Sequence, residues 1–320
     1  MSTVLPEAVV GTAGEADSPA RARPLWRCVW TRPAPATGAA LLVLAGVTAI
    51  FAPWIEPYRP TQTVGAAFAH PSTTHWLGLD GTGGDVVSLL IQGTRISLIV
   101  GAAAMAVAMV VGTTVGMLSG YFGGAVDGLL MRITDFFLVV PYLPLLIIVA
   151  AVWGASLWHI ILVIGLLQWT WAARIVRAQV KSVRQRTYVR RARSLGAGNL
   201  RIISHHIFPQ IAPLLVSIAV LHVGYAIFSE AALDFLGLGD PLAVSWGTMI
   251  EHAFQRTAVS NGAWWAIVPP GIGIAAVIVS CFLVGQGVED ALDPGLRRAH
   301  LSARTFRIRR PTSSATIEKR

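Results

Sequence analysis

Residues 136–173 read FFLVVPYLPLLIIVAAVWGASLWHIILVIGLLQWTWAA, thirty-eight consecutive positions without Asp, Glu, Lys or Arg. A single helix of that length would run about 57 Å at ~1.5 Å per residue. The hydrocarbon core of a bilayer is about 30 Å thick and is crossed by ~20 apolar residues. The stretch is therefore expected to fold back on itself at Gly154-Ala155-Ser156. That gives two spans, 129–153 and 157–176, joined by a very short hairpin.

Four more charge-free runs lie around it: Pro33–Ile55, Ile96–Val126, Ile202–Ser229 and Thr257–Val288. Each is long enough for one crossing, so the expected spans are 36–54, 95–119, 129–153, 157–176, 211–235 and 264–288. Composition agrees. The 320 residues are 54% hydrophobic and 13% charged, with a mean hydropathy of +0.62, against about 25% charged in an average soluble domain. A disordered chain is excluded and a soluble enzyme disfavoured. Pro33–Ile55 has the basic flank of a signal peptide, but its 23 uncharged residues and the charge parity below favour an uncleaved first span.

Six spans place 22 of the 25 Lys and Arg on one side, the bias that marks the cytoplasmic face. Arg21, Arg23, Arg27 and Arg32 precede span one, and nine basic residues from Arg174 to Arg201 separate spans four and five. Eight more lie in the tail from Arg297 to Arg320. The expected organisation is a cytoplasmic, disordered segment 1–35, span one at 36–54 and an external segment 55–94. A five-helix core follows at 95–288, with a cytoplasmic loop at about 177–209, and then a basic tail at 289–320. Both termini fall in the cytoplasm. The net charge of +9 is absorbed by this bias and by a tail suited to anionic lipid, so the lipid bilayer is an expected partner and nucleic acid is not.

Chemistry is sparse. Lys181-Ser182 lacks the glycines of a phosphate-binding loop, since Ile175 and Val180 occupy those positions, and no HExxH or GxSxG pattern occurs. No cofactor, metal or catalytic residue is expected on this chain. Cys28 and Cys281 are too few for a disulfide scaffold or a Cys-based zinc site. His205-His206 read as interfacial residues. Polar groups inside spans are costly and functional by default. His222, near the middle of span five, reads either as lining a pathway or as making a helix–helix hydrogen bond. Glu230, roughly 28 Å along that span, is expected at the external mouth. Asp135 is expected to pair with Arg132 one turn earlier. Trp76, Trp246, Trp264 and Trp265 fit an interfacial aromatic belt. Pro141, Pro144 and Pro269-Pro270-Gly271 are expected to distort spans three and six. The small residues Gly101, Gly112 and Gly116 mark close packing, against a partner chain or neighbouring helices.

The loop between spans four and five is patterned beyond what topology requires. Tyr188 to Leu195 reads as a helix stopped by Gly196. Leu200 to Phe208 reads as a second, and Pro209 as the turn into span five. Ala192, Gly196, Ile207 and Pro209 resemble the permease signature of ATP-binding-cassette importers, the EAA loop, with Arg190 and Arg191 where Glu and Ala usually stand. Further stretches resemble the dipeptide, oligopeptide and nickel branch: His75-Trp76-Leu77-Gly78-Leu79-Asp80, Gly93-Thr94-Arg95-Ile96-Ser97-Leu98, Gly120-Tyr121-Phe122-Gly123-Gly124 with Asp127, Glu230-Ala231-Ala232-Leu233, Phe235-Leu236-Gly237-Leu238-Gly239, Ser245-Trp246-Gly247 and Asp290-Ala291-Leu292-Asp293-Pro294. Gly84, Gln286 and Glu289 depart from that pattern.

The resemblance implies an all-α integral membrane protein with the six-helix type I importer permease fold, in the bacterial cytoplasmic membrane. It implies a translocation subunit for di- or oligopeptides, or for nickel or another small solute. Implied partners are a second related permease, two ATPase subunits that hold the ATP and magnesium, and an extracytoplasmic substrate-binding protein. Tyr188, Arg190, Arg191, Ala192, Leu195, Gly196, Leu200, Ile207 and Pro209 would form the ATPase-coupling loop, with His222 and Glu230 at the pathway or its mouth. A stand-alone secondary transporter is disfavoured by the lack of an inverted repeat and of a buried carboxylate chain, and an intramembrane enzyme by the absent motifs.

Overall fold

The computed structural model describes residues 32–292; the expected N-terminal segment, as far as residue 31, and the tail from 293 lie outside the described residues. Among the described residues ten α-helices follow one another: α1 Pro33–Ile55, α2 Val86–Phe122, α3 Gly124–Val139, α4 Tyr142–Trp153, α5 Leu157–Arg184, α6 Thr187–Ser194, α7 Asn199–Ile202, α8 Phe208–Phe235, α9 Trp246–Gln255 and α10 Val268–Leu292. Among the described residues the only β pairing is an isolated bridge between Leu79 and Asp85. Five helical stretches are long and apolar enough to cross a bilayer, and α3 with α4 makes a sixth, bent crossing. The chain is thus an all-helical membrane protein, as its charge-free runs predict.

α2 is the central post. It packs most extensively on α5 and also on α8 and α1, while α10 lies between α8 and α1. Lipid tails offer no hydrophobic drive for helices to associate, so close van der Waals packing must hold them. The sequence supplies it with small residues. A Cβ on Gly112 would stand 2.7 Å from the Trp169 carbonyl oxygen, and one on Gly116 2.6 Å from that of Ala173. Gly165 returns the favour from α5, where a Cβ would lie 2.6 Å from Val107. These glycines therefore seat neighbouring helices of this chain. The outward faces carry bare apolar side chains such as Ile50, Val110, Val139 and Val152, as surfaces solvated by lipid require.

Of the two spans expected to be distorted by proline, one is and one is not. Span three breaks between α3 and α4 by 89°. Proline disfavours the helical region for the residue before it, and Val140, ahead of Pro141, is extended at φ −75°, ψ 129°. The prolines of span six produce no kink. Pro269 and Pro270 sit in the first turn of α10, where missing N–H groups leave no helical bond unmade. The hairpin at Gly154 forms where expected, with φ +89° between α4 and α5.

One end of the bundle is closed by the segments 56–85 and 236–267, termed here the cap. Asp80 organises its first turn by accepting from the N–H groups of Thr82 and Gly84 at 2.8 and 2.7 Å. Asp85 caps α2 by accepting from the Ser88 N–H at 2.9 Å and meets His75 at 3.0 Å. Trp246 and Trp265 are buried, against the aromatic-belt expectation, and donate their indole N–H groups to the carbonyls of Leu90 and Leu79 at 3.2 and 3.0 Å. Trp76 and Trp264 remain exposed.

The glycine seam predicts a graded response. Gly116→Val should lower the unfolding free energy of the detergent-solubilised protein by about 1–3 kcal/mol, the usual cost of overpacking. Gly46→Ala in α1, whose Cβ would meet nothing within 4 Å, should be neutral or stabilise by up to ~1 kcal/mol. Thermal melting of both variants checks the pair, and equal melting of Gly116→Val and the parent would remove the seam from its structural role.

Candidate functional site

The loop between α5 and α8 forms a compact knob at the end of the bundle opposite the cap. α6 ends in a glycine cap: Gly196 adopts φ +82°, its N–H reaches the Arg193 carbonyl at 3.0 Å, and the Ala197 N–H reaches Ala192 at 3.1 Å. That geometry closes orphan helix carbonyls and needs a residue without a Cβ penalty. The turn carries the chain into α7, so the expected two-helix knob is present. Its second helix does not stop at Pro209. α7 passes through a π-helical turn, Ile203–Ile207, directly into α8, giving one continuous crossing from Asn199 to Phe235. Pro209 has no N–H to offer the helix, and the shifted bonding of the π turn, with the Phe208 N–H on the Ile203 carbonyl, absorbs that loss.

One face of the knob is locked to the bundle. Val189, Ile202 and Ile207 are buried with Tyr121, Val176, Val180 and Val183. The Tyr121 hydroxyl donates to Asn199 Oδ1 at 2.7 Å, and the guanidinium of Arg193 lies 5.3 Å from the Tyr121 ring, within cation–π range. Tyr188 lies against His206 with ring centroids 6.4 Å apart. The opposite face is bare. Leu195 is 87% and Leu200 79% exposed, and Arg190 and Arg191 are exposed beside them. Ala192 is half-buried, and Pro209 is exposed at the foot of α8.

A carboxylate that the sequence offered only within a family-like stretch joins this end together. Asp127, in the first turn of α3, accepts from Arg177 Nε at 2.5 Å and Nη2 at 2.8 Å, and from Lys181 Nζ at 2.6 Å. The Ser119 hydroxyl completes the set. A planar guanidinium gripping a carboxylate at two points fixes direction as well as distance. Two positive charges counted toward the loop are therefore committed to α3. Asp135 pairs with Arg174 at 2.6 Å rather than with Arg132. Both links tie α3 to α5; neither is a bond within α3. The spacing offered no signal for this, because the partners are 39 to 54 residues apart.

Halfway along α8 a second constellation appears. His222 Nδ1 stands 3.1 Å from Gln168 Oε1, and the Gln168 amide reaches the Tyr142 hydroxyl at 3.1 Å and Ser229 Oγ at 3.4 Å. The Tyr142 hydroxyl donates to Ser229 at 3.0 Å, and Ser229 donates to the Tyr225 carbonyl at 2.8 Å. The helix–helix hydrogen bond is present. His222 also lines a cavity of about 460 Å³ whose remaining wall is largely apolar, including Leu143, Leu167, Trp171 and Phe228.

Glu230 directly follows Ser229 in the chain and is fully buried, with no open face at the mouth. Ser97 of α2 donates to it at 3.1 Å. Asp234 follows one turn later, accepting from Ser245 at the N-terminus of α9, whose own side chain and that of Thr248 form a reciprocal cap. The pair fastens α9 over the ends of α2 and α8. Of the sequence-derived positions, the loop residues thus cluster on one knob, while His222 and Glu230 occupy separate places along α8.

Residues 112–298 match the family described as the binding-protein-dependent transport system inner membrane component. The chain is 36% identical over 264 residues to the probable D,D-dipeptide transport system permease protein DdpC of Escherichia coli K12, covering 82% of this chain and 88% of that one. It is 34% identical over 276 residues to the dipeptide transport system permease protein DppC of Bacillus subtilis 168, with 85% of each chain covered. Identity is again 34% over 273 residues with the di/tripeptide transport system permease protein DppC of Pseudomonas aeruginosa UCBPP-PA14, covering 82% and 88%. This chain belongs to the family of binding-protein-dependent transport system inner membrane components, and its multi-helix membrane architecture is that of a permease subunit.

Proposed function

We propose that this chain pairs with a second, related permease to form the membrane path of an ATP-driven importer of di- or oligopeptides. In this reading the knob at 186–209 docks on one of two ATPase subunits, and an extracytoplasmic binding protein delivers substrate to the cap. ATP and magnesium are held by the ATPases, and this chain binds no cofactor. The peptide assignment is supported by what the relatives' names say of those proteins. The orientation, with both termini and the knob in the cytoplasm, is supported by the concentration of Lys and Arg.

The observation that carries the coupling role is the two-faced knob. One side is bolted to α2 and α5 through Tyr121, Val189 and Ile202, and the other presents Leu195 and Leu200 bare between exposed arginines. Outside the bilayer, leucines so exposed imply a partner surface. A partner that moves this face moves the foot of α8 with it, because the π turn leaves no flexible linker between them. Arg190 and Arg191 call for carboxylates on the receiving groove.

ATP-dependent uptake of a labelled dipeptide by the complete complex in liposomes should vanish when the ATPase subunits are omitted; uptake persisting without them would refute the reading. Gly196→Val places a β-branched residue at φ +82°, where L-residues pay about 1–2 kcal/mol, without any clash, since a Cβ there meets nothing within 4 Å. The variant should insert normally and lose most transport, whereas Gly196→Asn, which tolerates that conformation, should retain it. Asp127→Asn removes the charge gripped by Arg177 and Lys181. It should lower stability by about 1.5–3 kcal/mol, the worth of a charged hydrogen bond, and reduce the peptides moved per ATP hydrolysed. An unchanged ratio would confine Asp127 to folding.

A further inference from the structure

Two acidic side chains hold α9 over the ends of α2 and α8. Glu230 and Asp234 stand one turn apart on α8 and are 1% and 3% exposed. Ser97 of α2 donates to Glu230 Oε2 at 3.1 Å, and its oxygen accepts the backbone N–H of Trp246, the first residue of α9, at 3.4 Å. Ser245, the N-cap of α9, donates to Asp234 Oδ2. Backbone closes over the same carboxyl: a Cβ on Gly247 would stand 2.7 Å from Asp234 Oδ2. The two carboxyl groups lie within hydrogen-bond reach of each other, and Ser245 reaches both.

No cation answers them. Among the described residues neither carboxyl makes an ion pair. The charges that face the pair are acidic. Glu251 of α9 accepts from Gln255 and meets the half-exposed His252 at 3.4 Å. Asp240 of the preceding loop accepts from the N–H groups of Leu157 and Leu242 at 3.0 and 2.9 Å. The other elements packed on α8 bring no countercharge. Arg95 lies about 200° around α2 from Ser97, and His159 of α5 is turned to the Gly154 carbonyl at 3.2 Å. The acids of α10, Glu289 and Asp290, sit at that helix's far end. An ionised carboxylate only accepts hydrogen bonds. Two in contact, away from water and without a cation, do not both stay ionised; one keeps its proton and donates to the other. Asp234 holds the Ser245 hydroxyl and is the acceptor, which leaves Glu230 as the donor.

We propose that Glu230 and Asp234 share one proton, donated from Glu230 to Asp234, and that this bond latches the cap over the ends of α2 and α8. The latch rests on geometry alone; its part in transport rests on the permease reading, which sets the cap at the external mouth. Lifting α9 draws Ser245 and Trp246 off the pair and admits water. The proton then passes to water, and two like charges one turn apart resist reclosure. A more alkaline exterior therefore favours the open mouth. Glu230 and Asp234 act as latch residues, buried from any passing solute.

Linkage gives the sign of the test. Above the ordinary carboxylate range, at about pH 4, and up to the pH at which the pair lets go, the folded protein holds a proton that the unfolded chain has lost. Stability contributed by the latch therefore falls as pH rises through that window. For the full-length protein in mixed micelles, the folding equilibrium constant of the parent divided by that of Glu230→Gln should fall about tenfold per pH unit from about pH 5 upward, because the glutamine amide donates to Asp234 at any pH. Ser245→Ala removes a hydrogen bond from the ionised Asp234 and should move the end of that fall to higher pH, a shift that a purely structural contact would not give. Infrared spectra of the folded parent at about pH 7 should show the carbonyl band of a protonated carboxylic acid, weakened in Glu230→Gln. In the complete complex in liposomes, ATP hydrolysis without binding protein should rise with external pH in the parent and stay level in Glu230→Gln. A parent without the protonated carboxyl band, or a stability ratio flat between about pH 5 and about pH 8, overturns the shared proton. ATP hydrolysis that follows the same external-pH course in parent and variant overturns its part in opening the mouth. The micelle and infrared results do not depend on what the complex transports, so failure of the peptide reading is distinct from failure of the latch.

Discussion

The backbones of α2 and α5 touch. Where Gly112, Gly116 and Gly120 face Trp169, Ala173 and Arg177, a single added methyl would meet carbonyl oxygens at less than 3 Å. In a bilayer this contact replaces the hydrophobic core of a soluble protein, because apolar side chains gain nothing by leaving lipid for one another. Its consequence is stiffness. Two helices locked along several turns behave as one post, and the remaining elements are hung from it: α8 through Gly101 against Ile227, α3 through Asp127, and the knob through Tyr121.

A stiff post explains how a small surface knob bears on distant parts of the chain. The hydroxyl of Tyr121 at the end of α2 holds Asn199, the first residue of the continuous helix that becomes α8. Thirty residues on, Glu230 and Asp234 fasten the other end of that helix to Ser97 of α2 and to the cap of α9. α8 is therefore pinned to α2 at both ends, and His222 lies between the pins. A displacement imposed at the knob reaches the level of the cavity through a rod, without a hinge at Pro209 to absorb it.

Much of this was legible in the residues themselves. Charge-free runs gave the crossings, and Gly154 and Gly196 marked turns that the structure places at φ +89° and +82°. What escaped was long-range. Trp246 and Trp265 resemble interfacial aromatics in sequence, and only the fold brings the Leu90 and Leu79 carbonyls beneath their indoles. Asp135 has a plausible partner one turn away and takes another, 39 positions on. Pro209 looks like a break because a regular helix has no place for it; the π turn that accommodates it has no pattern of its own. Local rules read local geometry, and pairings between helices depend on packing that single-sequence periodicity does not carry.

The bend in span three ties these strands together. A regular helix would carry α3 straight on past Val140. Pro141 prevents this by holding Val140 extended, and α4 departs at 89°. Broken helices are tolerated at membrane depth where their freed backbone meets protein or a cavity, and here the break does both. It brings Tyr142, the first residue of α4, against Gln168 and Ser229, so that the new helix end is anchored by side chains from α5 and α8. The same turn leaves the cavity open beside them. One imino acid thus turns the chain where Tyr142 meets Gln168 and Ser229, and the cavity lies beside that contact.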